Sequence, residues 1–258
     1  MANNRENRKE QAAKHHARML TEKAAEIQRS IAETKIYSHT FDKVGEYNGN
    51  PGSMVVNMDT VSAVFEHGTG DDKTIVLNFA SFKNPGGGFL IGALAQEEAV
   101  CMESTLYQVI GDSELADYYE YNAHHTNRSL YINRAMLSPG IVFVREDKET
   151  AATMLTVAAP NRSAYLNNNA GATEEENLKA LKDRIGFIAD IINAQNAEVA
   201  ILGAFGCGVF GQDSKVVAGI FKDKMKNSTV KKIVYAVIDR GGHTKEGAYA
   251  LFKKVIEG

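Results

Sequence analysis

Two cysteines, Cys101 and Cys207, are all that the 258-residue chain contains, with no CxxC pair and no histidines clustered at metal-ligand spacing. A zinc site of the usual kind is therefore not expected. No stretch approaches the roughly 20 apolar residues needed to cross a bilayer. The N-terminus carries no apolar signal segment, so the expectation is a cytoplasmic protein with reduced thiols and no membrane partner. A formal net charge of −3 provides no broad positive field. That argues against general or sequence-specific nucleic-acid binding, and any anionic ligand must be held locally. Internal repeats and low-complexity tracts are missing as well. What remains is an ordinary globular composition, 44% hydrophobic and 24% charged.

Residues 1 to 35 lack glycine and proline and place Ala13, Ala17, Leu20, Ala24, Ile27 and Ile31 at spacings of three and four. This stripe predicts a helix lying on the body of its own chain, since alanine seams are poor for an intermolecular coiled coil. His15 and His16 are expected to be solvated. After the polar link "GEYNGNPGS" (45–53), strand-like and helix-like segments alternate. "TIVLNFAS" (74–81) reads as a buried strand, "SLYINRAML" and "GIVFVRE" as two strands joined at Ser138-Pro139-Gly140, and "MLTVAAPN" (154–161) as another. Thr173 and Glu176 form a capping-box pattern ahead of a helix carrying Leu178, Leu181, Ile185, Ile188 and Ile192. Strand, helix, strand and helix follow to the end, which predicts an α/β sheet covered on both faces.

Two glycine-rich segments follow buried strands: "NPGGGFLIGA" from residue 84, and "GAFGCGVFGQD" from residue 203. In an α/β sheet, ligands bind beyond the carboxyl ends of strands, and glycine lets backbone N–H groups approach an anion closely. Neither loop matches a P-loop, which would need a GK[ST] sequence, nor the GxGxxG dinucleotide fingerprint. Together they suggest a phosphate cradle.

Glu97 and Glu98 follow the first loop at the expected first turn of a helix. Acidic residues are common there because the helix dipole favours them. A carboxylate where phosphates should bind would nonetheless repel the ligand unless it had a task. General acid catalysis on a glycosidic bond is such a task, because a neighbouring carboxylate and desolvation can keep one carboxyl protonated.

The glycine triplet Gly86, Gly87 and Gly88, seven intervening residues, and Gln96-Glu97-Glu98 resemble the catalytic signature of poly(ADP-ribose) glycohydrolases. "LNFASFKNPGGGFLIGALAQEEA" is similar to the bacterial-type branch of that family, and "GAFGCGVFGQD" to its diphosphate-binding loop. The resemblance implies a macrodomain-like three-layer α/β/α fold with a mixed central sheet, covering about residues 51–258, behind an N-terminal helical extension at 1–50. It implies hydrolysis of the ribose–ribose O-glycosidic bond of poly(ADP-ribose), with release of ADP-ribose and no cofactor. Carried over by position, Glu98 is the catalytic acid and Glu97 orients ribose hydroxyls. Gln96 helps to fix the loop, and Asn84 faces the distal ribose. Gly86, Gly87 and Gly88 let the loop lie close to the diphosphate. In the second loop Gly206, Cys207, Gly208 and Val209 offer backbone donors to the diphosphate, and Phe210 packs on the substrate riboses or anchors its own loop.

Two departures from the larger family members stand out: Phe205 replaces Trp, and Gln212 replaces Gly. The bacterial branch works from the chain end because a C-terminal loop blocks the continuing polymer. "DRGGHT" (239–244) is the candidate for that loop, with Asp239 and His243 given no role. His124 and His125 read as structural or solvated. Two alternatives stand beside the hydrolase: a macrodomain that binds ADP-ribose without cleaving it, and an enzyme for mono-ADP-ribosylated protein or nucleic acid.

Overall fold

The computed structural model describes residues 2–39, 46–239 and 246–258, so all of the DRGGHT stretch except Asp239 lies outside the described residues. The chain opens with helices α1 (Ala2–Glu22) and α2 (Ala24–Glu33), strands β1 (Lys35–Ser38) and β2 (Gly52–Val56), helix α3 (Thr60–His67) and strand β3 (Thr74–Phe79). A single 3-10 turn (Phe89–Ile91) precedes α4 (Gln96–Met102), α5 (Leu106–Ile110) and α6 (Ala116–His124). Strands β4 (Arg134–Arg145) and β5 (Lys148–Val157) form a hairpin, followed by α7 (Arg162–Asn168) and α8 (Glu174–Asn193). Strand β6 (Val199–Gly203), helix α9 (Ser214–Met225), strand β7 (Lys232–Ala236) and helix α10 (Ala248–Ile256) complete the order.

The strands form one mixed sheet in the order β1-β4-β5-β3-β6-β7-β2, with β4 antiparallel to both its neighbours and the pairs from β5 to β2 parallel. Alternation along β3 sorts its side chains between two cores. Ile75 and Leu77 join Ile185, Ile188 and Phe221 from α8 and α9, whereas Val76 joins Val61, Val100 and Leu106 from α3, α4 and α5. The expected sheet between two helical layers is therefore present. Because β3 and β6 are parallel neighbours, the two glycine loops leave the sheet side by side at the same end.

Several local expectations differ from the structure. Residues 134–145 form one strand instead of two, and the Ser138-Pro139-Gly140 signal produces a bulge where the register shifts between Ser138 and Ile141. β1 pairs only with residues 134–137, so Pro139 sits where no ladder hydrogen bond is needed from it. The real turn is Glu146-Asp147, with Glu146 at φ +55° between the paired Arg145 and Lys148. Residues 129–133 stay outside the sheet.

The N-terminal stripe is also shifted. Ala12, His15 and Met19 are buried on α1, while Ala13, Ala17 and Leu20 are exposed. A kink at Lys23 (φ −125°, ψ 26°) resets the phase, and Ile27 and Ile31 then face inward as expected. Alanine methyls are too small to choose a helix face against Met19 and an imidazole. His15 is consequently buried rather than solvated, with Nε2 2.9 Å from the Ser104 carbonyl oxygen, and burial lowers its pKa. His16 is half-buried beside Tyr107.

Thr173 does cap α8 by accepting from the Glu176 N–H, but the Glu176 side chain turns away to Tyr165 and Arg128. The sheet itself crosses residue 50, since β1 is its edge strand. Among the described residues, no helix is long and apolar enough to cross a membrane.

Candidate active site

The carboxylates of interest sit where β3 hands over to α4. The apolar run of β3 ends at Phe79, and the polypeptide reverses through Gly86 (φ +64°) and Gly87 (φ +57°) into the 3-10 turn. α4 then starts from Ala95, a residue with no capping side chain. Glu98 supplies the missing partner by reaching back, its Oε2 accepting from the Ala95 N–H at 2.9 Å. Gln96 ties the two elements together. Its Oε1 accepts from the Phe79 N–H (2.8 Å), and its Nε2 donates to the Leu77 carbonyl (3.0 Å) and the Thr60 hydroxyl (3.1 Å).

Glu97 is 2% exposed and Glu98 9%. Glu97 Oε2 accepts from the Ser81 N–H at 2.7 Å, and its Oε1 from Asn78 Nδ2 at 3.1 Å. These bonds favour the ionised form, but burial outweighs them and pushes the Glu97 carboxyl up to about 8, with the nearby Glu98 charge adding to the rise. Burial thus shifts Glu97 towards its neutral form. Glu98 Oε1 accepts from the Gly88 N–H at 2.8 Å, so both of its oxygens are engaged by the loop backbone.

The glycine triplet serves these carboxylates directly. A Cβ on Gly87 would lie 2.5 Å from Glu98 Oε1 and 3.1 Å from Glu97 Oε2. One on Gly86 would meet the Tyr107 ring at 2.5 Å, and one on Gly88 the Ala93 methyl at 2.6 Å. The space freed by the three hydrogens is filled by the protein's own side chains, which the expectation of a bare loop shaped only for a ligand did not include. Asn84 is exposed at the loop entrance, its carbonyl accepting from the Gly87 N–H.

In the second loop Gly206 (φ +76°) packs against Ala159, where a Cβ would come within 2.7 Å of the methyl. The Cys207 N–H is committed to the Ala204 carbonyl in a turn. Its thiol is half-buried and raised to about 12 by burial. Gly208 faces open space, and Val209 is 83% exposed. Phe210 is partly buried, and its ring lies 6.1 Å from Tyr131, which stacks on Phe82 of the first loop at 4.2 Å. An aromatic row therefore bridges the two loops. Phe205 is fully buried between Phe79 and Phe221. Gln212 is buried too, and its amide pairs reciprocally with Asn177 (2.8 and 3.1 Å) while donating to the Pro160 carbonyl.

Sequence reasoning passed over Asn78, Ser81 and Tyr131. Asn78 was detectable, because it is the one amide inside an apolar strand and period two places it with Val76, facing α4. Its Nδ2 also lies 3.4 Å from the Thr156 hydroxyl on β5. Tyr131 carried no local signal. It belongs to a segment in which Asn127, Arg128, Ser129 and Tyr131 all have positive φ, a strained backbone of the kind that collects at functional sites. His124 and His125 are exposed, with His125 stacked on Tyr121. Among the described residues, no three His, Cys, Asp or Glu side chains are grouped to hold a metal ion.

A mixed α/β sheet that sets two adjacent, buried carboxyl groups beneath a glycine loop, one of them with its pKa raised by burial, has the parts that a carboxyl-based glycosidase uses. The family described as microbial-type PARG, catalytic domain, matches residues 7–146. The chain belongs to this family of poly(ADP-ribose) glycohydrolases, glycosidases that hydrolyse poly(ADP-ribose). Its fold is similar to that of poly(ADP-ribose) glycohydrolase from Thermomonospora curvata, with a TM-score of 0.81 and 26% identity over 97% of this chain and 100% of that one. The same enzyme bound to the inhibitor ADP-HPD gives 0.80. The Deinococcus radiodurans enzyme in complex with ADP-ribose also gives 0.80, at 25% identity over 90% of this chain and 97% of that one. No curated protein matches the chain in sequence.

Proposed function

We propose that Glu98 is the general acid of poly(ADP-ribose) hydrolysis in this chain. Glu98 takes up a proton when the substrate diphosphate binds beside the carboxylate pair and passes it to the ribose oxygen that leaves. The resulting carboxylate stabilises the oxocarbenium-like centre and regains a proton from the water it activates. The observation that carries this reading is the paired burial of Glu97 and Glu98 under Gly87, with Glu98 Oε1 and Oε2 aimed by the Gly88 and Ala95 N–H groups. Glu97, protonated and held by Asn78 and Ser81, orients the hydroxyls of the ribose being cleaved. Gln96 fixes β3 to α4, and Asn84 faces the distal ribose.

The diphosphate lies between the two glycine loops. Its donors are the N–H groups of Gly206, Gly208 and Val209, because that of Cys207 is taken up in its turn. Phe210, in a row with Tyr131 and Phe82, borders the riboses. ADP-ribose is the product, released from the chain end. The free thiols Cys101 and Cys207 fit a reducing, cytoplasmic setting.

The raised pKa favours a second reading, in which Glu97 donates the proton and Glu98 only anchors the loop. Glu97→Gln and Glu98→Gln, assayed for ADP-ribose release from polymer and for ADP-ribose affinity by calorimetry, separate the two. Loss of release with affinity retained is expected for Glu98→Gln. Full activity of that variant beside a dead Glu97→Gln would exchange the roles. A wild-type protein that binds ADP-ribose and leaves polymer intact would be a reader instead.

A further inference from the structure

We propose that α1 is part of the catalytic apparatus, with Arg5 and Arg8 as positioning residues that hold the loop aiming the Glu98 carboxylate. The inference rests on Glu98 being the general acid. It begins from how weakly the turn at Phe89–Ile91 is anchored by its own side chains. Phe89 is buried, but Leu90, Ile91 and Leu94 are 38%, 58% and 56% exposed, so little apolar burial fixes the turn. A three-residue 3-10 turn also leaves its final carbonyls without partners inside the turn.

Two arginines of α1 satisfy those carbonyls. Arg5 Nε donates to the Ile91 carbonyl and Arg8 Nε to the Gly92 carbonyl, each at 3.0 Å across more than eighty residues of sequence. Their spacing of three puts both guanidinium groups on one face of the helix. Gly92, at φ +71°, is shaped for the contact. A Cβ there would lie 2.3 Å from the Arg5 carbonyl oxygen and 3.1 Å from the Lys9 nitrogen, so the backbones of helix and turn touch.

From this clamp a short chain of hydrogen bonds leads to the acid. Gly92 is followed by Ala93, whose N–H donates to the Gly88 carbonyl at 3.0 Å. Gly88 in turn donates its N–H to Glu98 Oε1 at 2.8 Å, and Ala95, farther along the same loop, donates to Oε2 at 2.9 Å. α1 grips the other end of the loop as well. His16 packs edge-on against Tyr107 (ring centroids 5.1 Å apart), the ring that fills the space beside Gly86. His15 anchors the helix on the Ser104 carbonyl. The N-terminal helix thus braces both ends of the loop that holds Glu98, and removing the brace loosens the acid while leaving the diphosphate donors of the second loop in place.

The test compares wild type, Arg5→Ala/Arg8→Ala, Arg5→Lys/Arg8→Lys and Glu98→Gln in the full chain. It measures kcat and KM on polymer, ADP-ribose affinity and thermal unfolding. The alanine pair is expected to lose about tenfold or more in kcat, with KM and ADP-ribose affinity within about twofold, because a misplaced reacting group costs rate more than binding. Lysine, which can still donate to a carbonyl, is expected to restore most of the loss. Unchanged kcat in the alanine pair overturns the proposal. So does a loss of kcat that lysine does not restore and that follows a lowered unfolding temperature, since that marks general destabilisation. Activity retained by Glu98→Gln removes the acid assignment, and the positioning role with it, whatever the arginine variants do.

Discussion

Gly87 shows how a single missing side chain holds a site together. Its positive φ disfavours any Cβ, and the space where one would stand is occupied by Glu98 Oε1. Gly87→Val is therefore expected to push the two carboxyls apart and to lower kcat on polymer by about tenfold or more. ADP-ribose affinity should fall less. Steady-state kinetics beside calorimetry tests this, and the opposite split, affinity lost with kcat kept, would mean that the glycine serves the diphosphate alone. The motif of three glycines and Gln-Glu-Glu was legible because it is local in sequence. Which atoms the glycines make room for was not, since Glu98 returns to Gly87 only after the intervening turn and the first helical residues have folded.

At the scale of elements, the second loop is held from below by a side chain that the family resemblance marked only as a departure. Gln212 donates to Pro160 after β5 and exchanges amide hydrogen bonds with Asn177 on α8, joining three elements under the glycines. Gln212→Ala leaves the Asn177 amide buried without this partner. The expected loss of stability is about 1–3 kcal/mol. Weaker ADP-ribose binding should accompany it as the loop loosens. Denaturant unfolding with parallel titration checks both, and wild-type stability would show that the amide pair contributes no net energy. The bulge at Ser138-Pro139-Gly140 makes a related point. Local turn chemistry was read there as a turn between two strands, but sheet pairing on both sides kept the strand going and left only a bulge.

For the whole molecule, burial of Glu97 links the fold to pH. Its carboxyl titrates at about 8 in the folded chain against an ordinary 4.5, so folding takes up a proton between those values. That contribution is complete below 4.5 and is lost as pH rises through about 8. His15 acts in the other direction: burial lowers it from 6.5, and its contribution is present above 6.5 and lost as pH falls through its folded value. Between pH 6.5 and 8 Glu97 dominates this pair, and the unfolding temperature is expected to decline across that interval. Glu97→Gln should flatten the decline. A wild-type unfolding temperature that climbs over the same range would contradict a protonated Glu97.

By itself the sequence determined what depends on neighbours along the chain. Apolar β-branched runs became strands, the Thr173 cap started α8, and the glycine-to-glutamate spacing announced the chemistry. Only the tertiary structure decided what depends on strands meeting. Parallel pairing of β3 with β6 brought the two glycine loops together, and the pairing of β3 with β5 set Thr156 beside Asn78. Asn78 and Ser81 then fixed the buried Glu97, and α1 came to rest on the turn that leads to Glu98. A raised carboxyl pKa is the sum of solvent excluded by residues far apart in sequence, and no local pattern encodes that exclusion.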